Sequence, residues 1–217
     1  MRHRIANRPP PSFEELLSRA RDLPEGHRGN ILDGALYVAE PLSPSCAHAL
    51  AELSADLVAG SPLGDPVPDG WCFLNNVELA VEPETLLSAD VAGWRMGQGQ
   101  LAAAGSPVRI APAWVCEVIG GGTRAFTLTA KRRAYAQMGV AHLWIIDPEA
   151  QVLEIFQNHR GKWLLIEALS DETNVVAAPF DTFHFDAVDL WIPGNGPNSQ
   201  GKPPPSKREG PASRKRI

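Results

Sequence analysis

Cysteine is scarce in this chain: three residues in 217, at Cys46, Cys72 and Cys116, with no Cys-x-x-Cys spacing. An odd, scattered set argues against a disulfide framework or a zinc site and for buried free thiols. Long apolar runs are lacking as well, none approaching the ~18 residues that cross a membrane. The basic start, MRHRIANRPPPS, is followed by no apolar segment, so it does not read as a secretory signal. These absences point to a cytoplasmic protein. No internal repeat is present, which sets solenoids and arrays aside.

What is there is an ordinary globular composition, 44% hydrophobic and 21% charged, long enough for one sizeable domain. Charge is divided unevenly. Residues 195–217 hold six Lys/Arg against one Glu, a net of +5; with −5 on the whole chain, residues 1–194 carry −10. An acidic body disfavours non-specific DNA binding through a broad basic surface. The short Pro/Gly/Ser-rich tail is compatible with nucleic-acid contact or with a solubilising disordered end. The expected organisation is a disordered start over 1–11, one domain over 12–193 and a disordered basic tail over 194–217.

Within the domain, Ser12-Phe13-Glu14-Glu15 has the form of a capping box and opens a short helix to about Arg21. Asp33-Gly34 between apolar residues signals a hairpin over 31–38. Cys46, Leu50, Leu53 and Leu57 recur at helical spacing, giving an amphipathic helix over about 45–58. Strands are expected at 71–74, 77–81, 89–94 and 114–119, then a helix over 125–138 closed by Gly139. Further strands at 142–146, 152–156 and 163–166 follow, the last two joined by the turn Asn158-His159-Arg160-Gly161, with weaker strand signals near Val175 and Phe183. The order predicts a mixed α+β or α/β fold around one central sheet.

Glu117 stands out. It interrupts the apolar run Trp114-Val115-Cys116-Glu117-Val118-Ile119, which reads as a strand with both faces covered. A carboxylate buried there needs a metal ion, a cation or a proton as partner, unless the strand lies at an edge with solvent access. Asp90 opens another strand 27 positions earlier, and Lys131 lies on the next helix 14 positions later. Two carboxylates from neighbouring strands can share a hard cation such as Mg²⁺ or Mn²⁺. A nearby lysine can polarise a phosphate or help deprotonate a metal-bound water, a toolkit for phosphodiester hydrolysis. Thr127, Lys131 and Tyr135, spaced four apart, line one helical stripe. Lys131 also belongs to the run Lys131-Arg132-Arg133, which alone reads as a solvated charge cluster.

The segments 87–95, 112–118 and 131–148, above all Tyr135-Ala136-Gln137-Met138-Gly139-Val140-Ala141-His142-Leu143-Trp144-Ile145-Ile146-Asp147-Pro148, resemble the Uma2 family (DUF820) of the PD-(D/E)XK nuclease superfamily. The likeness runs from about Ile31 to Trp191. It implies a restriction-endonuclease-like core with a central mixed sheet flanked by helices, and a metal-dependent endonuclease acting on DNA. It implies metal-binding carboxylates at Asp90 and Glu117 and a catalytic lysine moved onto the helix at Lys131, with Ile119 where an E-x-K lysine would stand. Glu78 matches a further carboxylate, and His48 a histidine on the first core helix.

The chain also departs from that pattern. Gly120-Gly121-Gly122-Thr123 replaces a Ser-Pro-Ser-Thr segment, and Thr127 stands where an aspartate is common. In two Pro-Asp pairs, Ala89 replaces the proline and Ala113 the aspartate. A catalytically lapsed relative acting as a binding or assembly module is therefore the alternative. The glycine loop, at a strand-to-helix junction, also suits phosphate, though it lacks the Gly-Lys-Ser/Thr ending of a P-loop. His48 can pair with Glu52 on its own helix, and Glu78 alternates with apolar Val77 and Leu79 as in any half-exposed strand. A homodimer would suit an enzyme that cuts duplexes, but no sequence feature marks an interface.

Overall fold

The structure, a computed structural model, describes residues 10–59, 70–95, 107–181 and 183–193. The expected disordered ends, the turn-rich segment after residue 59 and the glycine-rich stretch before residue 107 lie largely outside the described residues. Helix α1 (Phe13–Arg21) carries the capping box in full: Ser12 Oγ accepts from the Glu15 amide and Glu15 accepts from the Ser12 amide. Strands β1 (Arg28–Leu32) and β2 (Ala35–Ala39) form a two-stranded antiparallel hairpin. Its corner is Asp33-Gly34, both at positive φ (51° and 73°), as a two-residue primed turn requires.

Helix α2 (Pro44–Ala59) buries Cys46, Leu50, Leu53 and Leu57, the stripe that the periodicity marks. A six-stranded sheet follows, in the order β3 (Trp71–Leu79), β4 (Leu87–Arg95), β5 (Trp114–Val118), β6 (His142–Asp147), β7 (Val152–His159), β8 (Lys162–Leu169). All neighbours are antiparallel except β5 and β6, which are parallel. A parallel pair needs a crossover. Here a helical run supplies it: a short 3₁₀ turn at Gly121–Thr123, α3 (Arg124–Phe126), a π-helical turn at Thr127–Lys131 and α4 (Arg132–Gln137).

The sheet has two covered faces. Against one pack α2 and the C-terminal aromatics, with Leu53, Trp114, Trp144, Phe180 and Phe183 at the centre. Against the other packs the crossover, with Val115, Ile119, Tyr135, Leu143 and Ile145. Burying one such side chain stabilises the fold by roughly 1.5–3 kcal/mol. This double cover explains why the central strands read as unbroken apolar runs. Among the described residues, no helix is long and apolar enough to cross a membrane.

Three expectations change. The pieces at 71–74 and 77–81 are one strand, β3, with Asn76 at φ 50° in its middle. The helix expected over 125–138 begins earlier and contains a π turn, which no propensity argument anticipates. Val175 and Phe185 make a single antiparallel bridge rather than strands.

Gly93 lies opposite Phe73 in the ladder, and a Cβ there would come within 2.7 Å of the Phe73 ring and 3.2 Å of Trp114. Gly93→Ala should therefore destabilise the fold by about 1–3 kcal/mol, from overpacking. Chemical denaturation checks this; an unchanged midpoint would contradict the packing described.

Candidate active site

The β4–β5 ladder pairs Val91 with Cys116 and then stops. One step further in the same register, Asp90 stands opposite Glu117. Directly opposed residues project from the same face of an antiparallel pair, here the face that carries the crossover. The strands part at this point, and the Asp90 side chain takes over the bonding: its Oδ2 accepts from the Val118 amide at 2.8 Å. On the other flank, the ladder joins Asn75 to Val91 and Val77 to Ala89, leaving Asn76 and Asp90 unjoined between them. Asp90 thus occupies a gap in the hydrogen-bond ladder on both sides.

Glu117 is 2% exposed on a central strand, which removes the reading of a solvated edge carboxylate. Its Oε2 accepts from Lys131 Nζ at 2.7 Å, and its Oε1 from the Tyr135 hydroxyl at 2.6 Å. Lys131 Nζ also donates to the Ser88 carbonyl at 2.6 Å. Lys131 is 4% exposed, so it is no member of a solvated charge run. Its neighbours behave differently: Arg132 lies 4.0 Å over the Phe156 ring, and exposed Arg133 pairs with Asp33.

The π turn contributes to this placement. The Arg132 amide reaches back five residues to the Thr127 carbonyl. The wider turn sets the offset between Thr127 and Lys131, the α-helix that follows carries Tyr135, and all three side chains are buried. Single π turns of this kind occur often at functional positions. Below them, Asp147 closes β6 by accepting from the Glu149 and Ala150 amides and by pairing with Arg124 at 2.6 Å. Burial pushes the Asp147 carboxyl up, but Arg124 and the two amides outweigh it and leave it below its ordinary value.

Asp90, Glu117 and Lys131 line one cavity of about 160 Å³, together with Arg28, Ser88, Phe126, Thr127 and the Gly120–Gly122 loop. Sequence reasoning missed Arg28. It opens β1, and its Nη2 lies 2.6 Å from Asp90 Oδ1. The available signal was that a buried Asp90, like Glu117, needs a cation. Two expected residues lie elsewhere. Glu78 is exposed and lines a neighbouring groove, and His48 lines neither: its Nε2 lies 3.1 Å from the Asp189 carbonyl and its Nδ1 3.8 Å from Glu52.

Burial raises the Glu117 carboxyl to about 7, partly offset by Lys131 and reinforced by the charge of Asp90. Burial, and then Glu117 itself, push Tyr135 well above its ordinary value, which keeps it a neutral hydroxyl donor. Between an unfolded value of 4.5 and about 7, the folded protein holds a proton that the unfolded chain has released. This group's contribution to stability therefore falls as pH rises through that window.

For a divalent cation the donor set fits: two hard carboxylates opposed on adjacent strands, with Asp90 Oδ1 buried and accepting no hydrogen bond. Among the described residues, no group of three or more His, Cys, Asp or Glu gathers as a candidate metal centre. The protein would therefore contribute two carboxylates and leave the remaining positions to water, a mode Mg²⁺ favours.

The hydroxyl of Tyr135 holds the charged form of Glu117, so Tyr135→Phe should raise the Glu117 midpoint above about 7 and destabilise the fold at pH 8 by about 1–3 kcal/mol. Carboxyl-carbon NMR and denaturation at pH 8 read both effects; a midpoint that falls would contradict the bonding described.

Comparison with known proteins bears on family and fold. No curated protein matches the chain. Among solved structures, the chain is similar to a crystal structure described as "a putative nuclease belonging to DUF820 from Anabaena variabilis", at 14% identity and a TM-score of 0.63. The match covers 83% of this chain and 97% of that one, and it shows a shared fold. The Uma2 profile, described as "Putative restriction endonuclease", matches residues 11–187. On that coverage, the chain belongs to the Uma2 family, and it has the restriction-endonuclease-like fold.

Proposed function

We propose that this protein is a metal-dependent endonuclease that hydrolyses phosphodiester bonds in DNA, with Asp90 and Glu117 as ligands of Mg²⁺ or Mn²⁺ and Lys131 as the catalytic cation. The observation that carries this reading is the convergence of the three buried side chains on one cavity, from two strands and the crossover helix. A bound divalent ion would supply Lewis acidity at the phosphate and a more acidic water. The chain's own groups do the rest. Tyr135 fixes one oxygen of Glu117, and the Val118 amide fixes one oxygen of Asp90. Lys131, tethered by the Ser88 carbonyl, presents its ammonium beside Glu117, where it can stabilise charge on a phosphate oxygen. The Gly120–Gly122 loop lines the same cavity without side chains, and Cβ atoms at Gly121 and Gly122 would meet nothing within 4 Å. That leaves room for a sugar-phosphate backbone.

One observation favours the second reading, a lapsed nuclease fold used for binding or assembly. Every oxygen of the two carboxylates already has a partner in the protein: Lys131, Tyr135, the Val118 amide and the Arg28 guanidinium. A titration with Mn²⁺ separates the readings, since a lapsed site should bind it weakly or not at all.

Incubation with Mg²⁺ or Mn²⁺ and single- or double-stranded DNA should give cleavage that Glu117→Gln abolishes and Lys131→Met reduces by about 10²–10³-fold. Equal cleavage by wild type and both variants, or none by any, would contradict the proposal. Because Glu117 must lose its proton to ligate, Mn²⁺ affinity should fall roughly tenfold per pH unit below about 7. Calorimetry from pH 5.5 to 8 checks this; an affinity flat across that range would contradict Glu117 as a ligand.

A further inference from the structure

Arg28 takes no part in the scheme of two carboxylates and a lysine, yet it is the group nearest Asp90. It springs from the first residue of β1 and is half-buried between two spaces, the site cavity and a groove of about 530 Å³ lined by Asn75, Asn76 and Glu78. Its two terminal nitrogens divide their work. Nη1 donates to Asn76 Oδ1 at 3.1 Å, while Nη2 lies 2.6 Å from Asp90 Oδ1. The second contact is unusual in kind. Asp90 Oδ1 is fully buried and no Arg28 N–H is well aligned on it, so opposite charge contributes more to the pair than hydrogen bonding does. A carboxylate oxygen held by charge rather than by an aligned hydrogen bond can exchange the guanidinium for another cation.

The charges in the cavity make the same point. Above about pH 7, where Glu117 is ionised, Asp90 and Glu117 supply two negative charges and Arg28 and Lys131 two positive ones, so the buried cluster is neutral. A divalent ion added without any other change would leave it at +2 in a low-dielectric space, with the ion and the guanidinium at one oxygen. Lys131 cannot yield easily, since it is held by both Glu117 and the Ser88 carbonyl. Arg28 can: it has the adjoining groove to turn into, and exposed Glu78 on that side.

We propose that Arg28 and a divalent cation compete for Asp90 Oδ1, so that Arg28 occupies the cation's place in the metal-free protein and tight binding requires its release. This inference rests on the metal reading above and assigns to the β1–β2 hairpin a part in it. It also accounts for a cluster that is self-neutralised without being lapsed.

The test is Mn²⁺ titration of the full-length protein by calorimetry at pH 7.5, for wild type, Arg28→Met and Arg28→Lys, with Asp90→Asn added to the Arg28→Met background. Arg28→Met should bind Mn²⁺ at least tenfold more tightly than wild type. Arg28→Lys, which cannot span Asn76 and Asp90 together, should fall between them, and the added Asp90→Asn should abolish the gain. Mn²⁺ should also raise the melting temperature of Arg28→Met more than that of wild type. Equal affinity in wild type and Arg28→Met, with binding still lost on Asp90→Asn, would overturn the competition and leave the metal site standing. No binding by any of the proteins would overturn both. If Arg28→Met does not fold by circular dichroism, Arg28→Lys decides alone, and an affinity equal to or below wild type overturns the proposal.

Discussion

The fold is organised around the burial of the Glu117 carboxylate in the middle of its sheet. Two donors hold it, the Lys131 ammonium and the Tyr135 hydroxyl, both from the crossover helix that links the parallel strands β5 and β6. Each requirement follows from the one before. A charge at this depth is costly unless paired, so the helix must deliver both donors. The helix can do so only by lying on the face of the sheet that Glu117 shares with Val115 and Ile119. The Ser88 carbonyl then locks the lysine to the neighbouring strand. What results is an ionic knot tying β4, β5 and the crossover together.

Such a knot is a weak source of net stability, because the desolvation of its charges offsets much of their attraction. Glu117 shows the imbalance, with its carboxyl held up at about 7 despite an adjacent ammonium. The strand separation at Asp90 and the π turn before Lys131 are local departures from regular structure in the same place. Irregularities of backbone and charge gather around one cavity, within a sheet otherwise packed with Trp, Val, Leu and Ile, and they mark it as the candidate site.

Much of this was legible in the residues. The Ser12/Glu15 box, the Asp33-Gly34 corner, the α2 stripe and Gly139 at the helix end each follow from local chemistry, and each stands where it is expected. Glu117 announced its need for a partner because charge inside an apolar strand is expensive wherever the strand goes. Lys131 and Tyr135 could be suspected from four-residue spacing, but that both meet Glu117 depends on how the crossover docks on the sheet, a tertiary matter. Arg28 was not legible: its role comes from the docking of the hairpin on β4 through Ile31, Leu86 and the Asn30 side chain, contacts more than 50 residues apart in the chain. His48 and Glu78 stand outside the site cavity. Family pattern suggested them, but α2 turns His48 toward Asp189, and Glu78 lies beyond Arg28 on the edge strand.

The most direct measurement is anomalous diffraction from a crystal of the protein soaked in Mn²⁺ near pH 8, where Glu117 is ionised. The account predicts one strong peak, within bonding distance of an Asp90 oxygen and a Glu117 oxygen and in contact with water. A soaked crystal in which Asp90 stays on Arg28, Glu117 stays on Lys131 and no peak lies between the carboxylates would contradict it.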